Sequence, residues 1–237
     1  MKKQKILALL TTTFLSLSIL SACGASDKLE SSKTPEAVTT SPSGLDTTAS
    51  AVSDNPKQNQ FTSWLPENIQ QKMAESKANP ALEKAIIDYY KIPKEELAKT
   101  KYYYNYVDLN GDGSDEILAV VMGPSTSGTG GDSMLWVLPY ADMAVSQAFT
   151  LVNTPIIVTK EATNGQEFGA KGLIVQRSGG GAQTETVLLT NIDGEYENIN
   201  DGKVLKTLED VEGAAIICNN LIEDSENNNF LTLSEVK

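Results

Sequence analysis

Between Val107 and Ile117 the sequence reads VDLNGDGSDEI, with oxygen-bearing side chains at a spacing that suits a cation. Counting from Asp108, such oxygens stand at positions one, three, five and nine, on Asp108, Asn110, Asp112 and Glu116. Ser114, at position seven, offers a backbone carbonyl, and Gly113 permits the sharp turn that wraps a chain round an ion. Calcium takes about six to eight oxygens at about 2.3–2.6 Å with tolerant geometry, so this set predicts a structural Ca2+ site. Magnesium demands a tighter octahedron and is the weaker candidate. Zinc and copper are disfavoured, because the chain has no histidine and only the cysteines Cys23 and Cys218. The competing expectation is a polar turn whose Asn and Asp side chains bond their own backbone. Against it stand four acids, Asp108, Asp112, Asp115 and Glu116, which repel one another unless something offsets them. Asp115 is expected to lie outside the ligand set.

The loop departs from an EF-hand at its twelfth position, which is Ala119 in an apolar run and not a bidentate Glu. The pattern D-x-N-x-D-G-x-x-E resembles the calcium loops of FG-GAP repeats, which carry it many times round a propeller. Here it occurs once, so a propeller is excluded. The wider block YVDLNGDGSDEILAVVMGPSTSGTGG, followed by GLIVQRSGGGAQ, resembles a family of small secreted and lipid-anchored bacterial proteins over about Tyr103 to Gly202. Relatives in that family flank the G-T-G-G turn with cysteines, where this chain has Ser127 and Asp132. The resemblance implies a location and a fold, and no reaction.

The loop needs two strands to hold it. Tyr102 to Val107 alternates at period two, and Ile117-Leu118-Ala119-Val120-Val121 reads as a buried central strand. Upstream, Pro66 is expected in a first helical turn. Asn79-Pro80 then caps and opens a helix with the stripe Leu82, Ala85, Ile86, Tyr89 and Tyr90, which Pro93 stops. A turn of helix is expected over Lys94–Lys99. Further strands are expected at 134–138, 156–159, 172–176, 186–190 and 196–199, with turns at Asp193-Gly194 and Asp201-Gly202. Residues 205–221 lean towards helix, and 230–233 closes the sheet. The class expected is α+β, with N-terminal helices packed on a mainly antiparallel sheet in a single domain.

The ends predict where the domain is held. Lys2, Lys3 and Lys5 precede the apolar run Ile6–Leu20, a signal segment over 1–22 that is too short to span a membrane. Leu20-Ser21-Ala22-Cys23 resembles the lipobox of bacterial lipoproteins, which implies a cleaved chain anchored through palmitate-type acylation of Cys23. Residues 23–59 are rich in Ser, Thr, Pro and Ala and read as a disordered tether, and 60–237 as the folded domain. The expected location is extracytoplasmic, and the long tether favours a Gram-positive surface. The formal net charge is −12, and losing the three signal lysines leaves −15, which argues against nucleic acid. Cys218, in the run AAIIC, is expected to be a buried inert thiol.

Two function classes follow. The first is a lipid-anchored surface domain with a structural calcium ion, which binds an envelope protein or glycan. The alternative is a carboxylate-dependent hydrolase of cell-wall glycan or polysaccharide. Catalysis has little support: there is no histidine for a Ser-His or Cys-His pair and no G-x-S-x-G elbow. Tyr102, Tyr104 and Tyr106 could present a ligand platform, although such a stripe more often packs under a helix.

Overall fold

The computed structural model describes residues 59–162, 169–179 and 181–235, and strands dominate them. Helix α1 (Asn59–Thr62) and strand β1 (Gln70–Gln71) lead to helices α2 (Pro80–Tyr90) and α3 (Lys94–Leu97). Strands β2 (Lys101–Val107), β3 (Glu116–Met122), β4 (Asp132–Leu138) and the 19-residue β5 (Ala144–Ala162) follow. Next come the hairpin of β6 (Lys171–Gly179) with β7 (Ala182–Leu189) and the small hairpin of β8 (Asn191–Ile192) with β9 (Glu195–Tyr196). The chain continues through β10 (Lys203–Val204), β11 (Gly213–Ile216), helix α4 (Leu221–Asn227) and β12 (Leu231–Thr232). One ten-stranded sheet runs β10-β7-β6-β5-β4-β3-β2-β12, with β11 beside β5 and β1 beside β11. Only the β1–β11 pair is parallel, so the α+β class with a mainly antiparallel sheet is observed.

Strand β5 belongs to two halves of the sheet. Its first part, to Val152, pairs with β4, and its second part, from Asn153, lies between β6 and β11. Period-two alternation then sorts side chains into layers. Tyr103, Leu118, Val120, Met134 and Trp136 from one half share a core with Leu173, Val175, Val187, Leu189 and Ile216 from the other, so the halves face each other. The alternate set of the first half, Tyr102, Tyr104, Ile117, Ala119, Val121, Leu135 and Val137, packs under Leu82, Ile86 and Leu97 of α2 and α3. Ile157, Ile174 and Ala215 of the second half pack with Ile69, Trp64 and Leu65 instead. Burying side chains such as Leu82 and Ile86 completely is worth about 1.5–3 kcal/mol each.

Helix α2 starts as its sequence dictates. Asn79 accepts from Leu82 N at 3.1 Å, Pro80 occupies the first turn, and the left-handed Lys91 (φ 53) ends the helix. Tyr89 leaves the apolar stripe and is exposed. Three expectations are corrected. Pro66 opens no helix; α1 precedes it, and Leu65 N to Thr62 O and Ile69 N to Pro66 O close two tight turns. Residues 205–221 are not helical before Leu221, because Gly213–Ile216 is a strand. A Cβ on Gly213 would stand 2.2 Å from Val158 O, a spacing only glycine allows. Tyr196–Ile199 is a strand only at Glu195–Tyr196. Among the described residues no helix is long and apolar enough to cross a membrane.

One buried acid stitches the C-terminal segment to α2. Glu83 accepts from Tyr102 Oη at 2.8 Å, and from the backbone N (3.1 Å) and Oγ (2.6 Å) of Ser234. Glu83→Ala strands these donors and should lower unfolding free energy by about 2–3 kcal/mol, with Glu83→Gln costing less. Urea denaturation of the full-length chain measures this, and equal midpoints for wild type and Glu83→Ala would contradict it.

Candidate functional site

Val107 and Glu116 pair across β2 and β3, so residues 108–115 form the loop of that hairpin. Gly111 (φ 74) and Gly113 (φ 86) turn the backbone through the left-handed region, where open space surrounds them. The Asp108 carboxylate accepts from Gly111 N at 2.6 Å and Gly113 N at 3.2 Å. Asn110 Oδ1 accepts from Asp112 N at 2.9 Å, while its Nδ2 donates to Asp112 Oδ2 at 2.9 Å. Asp112 Oδ1 accepts from Ser114 N at 2.7 Å. The Ser114 amide, with Asn110 behind it, holds the Asp112 carboxyl below its usual range. Asp115 and Ser114 are exposed.

Glu116 behaves differently. It is fully buried at the start of β3, with Leu109 N donating to Oε2 at 2.8 Å and Tyr140 Oη to Oε1 at 3.2 Å. Burial pushes its carboxyl up, and the Asp112 and Asp108 charges push it further, against the lowering effect of its two donors. Three of the predicted ligands thus share one electrostatic neighbourhood.

Sequence reasoning missed the residues that brace the loop from below. Lys171 N donates to Leu109 O at 2.7 Å, Lys171 Nζ to Asp108 O at 2.6 Å, and Tyr196 Oη to Lys171 O at 2.7 Å. Lys171 lies 63 residues beyond Asp108, and no local spacing announces such a contact. Tyr140, which reaches Glu116, follows Pro139 in a 3-10 turn and carries no motif of its own.

The donor set is all oxygen, and the bonds described leave lone pairs free on each carboxylate, so its chemistry fits calcium. Yet among the described residues no three acidic, cysteine or histidine side chains are gathered as closely as a metal site requires. An ion would have to draw Asp108, Asp112 and Glu116 inward.

The tyrosine platform is corrected. Tyr102 and Tyr104 are 0% and 3% exposed beneath α2, and only Tyr106, at 38%, reaches the surface. Their hydroxyls hold the segment entering α2: Tyr104 Oη donates to Lys77 O at 2.8 Å, and Tyr106 Oη accepts from Asn79 Nδ2 at 3.2 Å. Burial pushes the Tyr104 phenol up to about 12. Cys218 is free and buried, as expected, and burial raises its thiol to about 11. Cys23, the 1–22 signal segment and residues 23–58 of the tether lie outside the described residues, and Asn59 already belongs to α1. No family model, curated protein or solved structure matches the chain.

The raised Glu116 carboxyl makes stability depend on pH with a definite sign. Between the ordinary value of 4.5 and the higher folded value, the native state keeps a proton that the unfolded chain has released. Its contribution is therefore full below the ordinary value and falls as pH rises through the folded one. A 13C NMR titration of the Glu116 carboxyl should place the midpoint above 4.5, and Asp112→Asn should bring it down. A wild-type midpoint at or below 4.5 contradicts the assignment.

Proposed function

We propose that this chain is a surface-binding domain, lipid-anchored through Cys23, whose 108–116 loop is closed by a structural calcium ion. Asp108, Asn110, Asp112 and Glu116 supply side-chain oxygens and Ser114 a backbone carbonyl. The observation that carries the calcium reading is the buried Glu116, whose carboxyl is raised first by burial and then further by the charges of Asp112 and Asp108. A divalent cation among the three would turn that mutual repulsion into attraction. The loop's self-contained hydrogen bonds keep it ordered without an ion, so calcium tightens a formed turn and does not create one.

The anchor reading rests on the signal segment, the cysteine and the Ser/Thr-rich tether taken together. A tether of this composition lifts a domain clear of a membrane towards an envelope protein or glycan. The acidic balance of the chain suits an environment rich in cations.

Thermal unfolding of the full-length chain tests the calcium reading. A ligand that binds only the native state at about 100 times its Kd adds about 2.7 kcal/mol, which for a domain of this size is roughly 5–10 °C. Calcium should raise the midpoint above its value in chelator, magnesium should do less, and Asp108→Ala and Asp112→Ala should abolish the rise. Equal midpoints in calcium and chelator would leave the loop as a turn and remove the ion from the function.

A further inference from the structure

The G-T-G-G turn and the last residues of β6 meet at one residue. In sheet order β5 lies between β4 and β6, so the turn before β4 and the end of β6 flank it from either side. Asn153 of β5 spans them: its Nδ2 lies 3.4 Å from Gly130 O, 3.0 Å from Gln176 O and 3.5 Å from Ser178 Oγ. The approach is close enough to demand glycine. A Cβ on Gly131 (φ 142) would fall 2.8 Å from both Leu151 C and Val152 O. Beside it, Leu151 holds a left-handed conformation (φ 64), strain that the surrounding pairings must enforce.

Beside Asn153 there is a cavity of about 230 Å3, room for a molecule the size of one sugar ring. Asp132, Asn153, Thr154, Gln176, Ser178 and Thr184 line it with one carboxylate, two carboxamides and three hydroxyls. Phe61 and Leu221 supply its apolar wall. Asp132 Oδ1 accepts from Ser127 Oγ, and among the described residues Oδ2 has no hydrogen-bond partner. Burial raises the Asp132 carboxyl, with the Ser127 hydrogen bond opposing the rise.

The lining selects among ligand classes. No lysine or arginine is among its described residues, and the neighbouring Arg177 is engaged by Glu185 and the carbonyls of Ile199 and Asn200. An anion would meet the Asp132 carboxylate without a counter-charge. A hydrocarbon would strip water from a lining of six polar side chains. A ring carrying several hydroxyls satisfies both constraints: carboxylate and carboxamides pair with adjacent hydroxyls, while the C–H face meets Phe61. Glycoside hydrolysis by the two-carboxylate route needs a second acid, and the described lining supplies only Asp132, so the chemistry assigned is binding without cleavage.

We infer that this cavity is a binding site for a single sugar unit, either a free monosaccharide or the terminal unit of a glycan. The inference rests on the reading of the chain as a binding domain and names its ligand class. It does not require calcium in the 108–116 loop.

Saturation-transfer NMR on the full-length chain decides it, in calcium and again in chelator. The probes are glucose, galactose, mannose and N-acetylglucosamine, each as the free sugar and as its methyl glycoside. At least one should receive saturation at its ring protons, and Asp132→Asn and Gln176→Ala should each weaken it about tenfold. A glycoside that binds as well as its free sugar marks the end of a glycan as the source; binding of the free sugar alone marks a monosaccharide. Thermal midpoints in chelator report whether each variant is folded, and Gln176→Ala, which removes only an amide, decides if Asp132→Asn is not. The assignment is overturned if no probe responds or if transfer survives undiminished in folded variants. Sugar transfer that persists in chelator while calcium leaves the thermal midpoint unmoved would remove the ion and keep the site.

Discussion

A strand that must serve two sheet halves constrains everything else in this molecule. β5 pairs with β4 through its first part and lies between β6 and β11 through its second, with register shifts where the pairing changes. Those irregularities let one continuous sheet turn its two halves towards a shared core without leaving β5 unpaired. The same geometry brings β6 alongside the base of the β2–β3 loop, so Lys171 braces Asp108 and Leu109. It also sets Asn153 between the turn before β4 and the end of β6. Both candidate sites are thus consequences of how one strand passes from one half to the other.

The acidic loop balances a repulsion that a compact hairpin would otherwise concentrate. Backbone amides of Gly111, Gly113 and Ser114 share the charges of Asp108 and Asp112, and the Lys171 ammonium sits on the Asp108 carbonyl. Glu116 receives less help, being buried with one amide and one phenol as donors. The loop therefore divides into an exposed part solved by local hydrogen bonds and a buried part that stays electrostatically tense. The first part is an exposed polar turn; the second is the buried Glu116 carboxylate, held by the Leu109 amide and the Tyr140 hydroxyl.

Local chemistry was legible in the sequence to the extent that it was local. The Asn79-Pro80 helix start, the apolar run of β3, the loop glycines and the turn at Asp193-Gly194 follow from neighbouring residues, and each stands where it was expected. Period two in Tyr102–Tyr106 gave the strand but not the depth of its faces, because helix α2 covers Tyr102 and Tyr104 while Tyr106 lies beyond it. For Gly213, what decides strand over helix is Val158, more than fifty residues away along the chain. Lys171 and Tyr140 at the loop were invisible for the same reason. The cavity polar set was equally hidden: Asp132, Asn153, Gln176 and Thr184 come from four strands, and only the G-T-G-G turn beside them left a trace in the sequence.

The turn before β4 is fastened by hydrogen bonds alone. The Ser127 hydroxyl donates to the Asp132 carboxylate while Gly128 and Gly131 bridge between them. A disulfide fastening opens and closes with electrons, so its state follows the surrounding oxidants and reductants. This one answers to protons: the half-buried Asp132 carboxylate accepts the hydroxyl while ionised, and acidity is what would rewrite the contact. The turn keeps its form across swings of redox poise, and it is acid, not thiol chemistry, that reaches it.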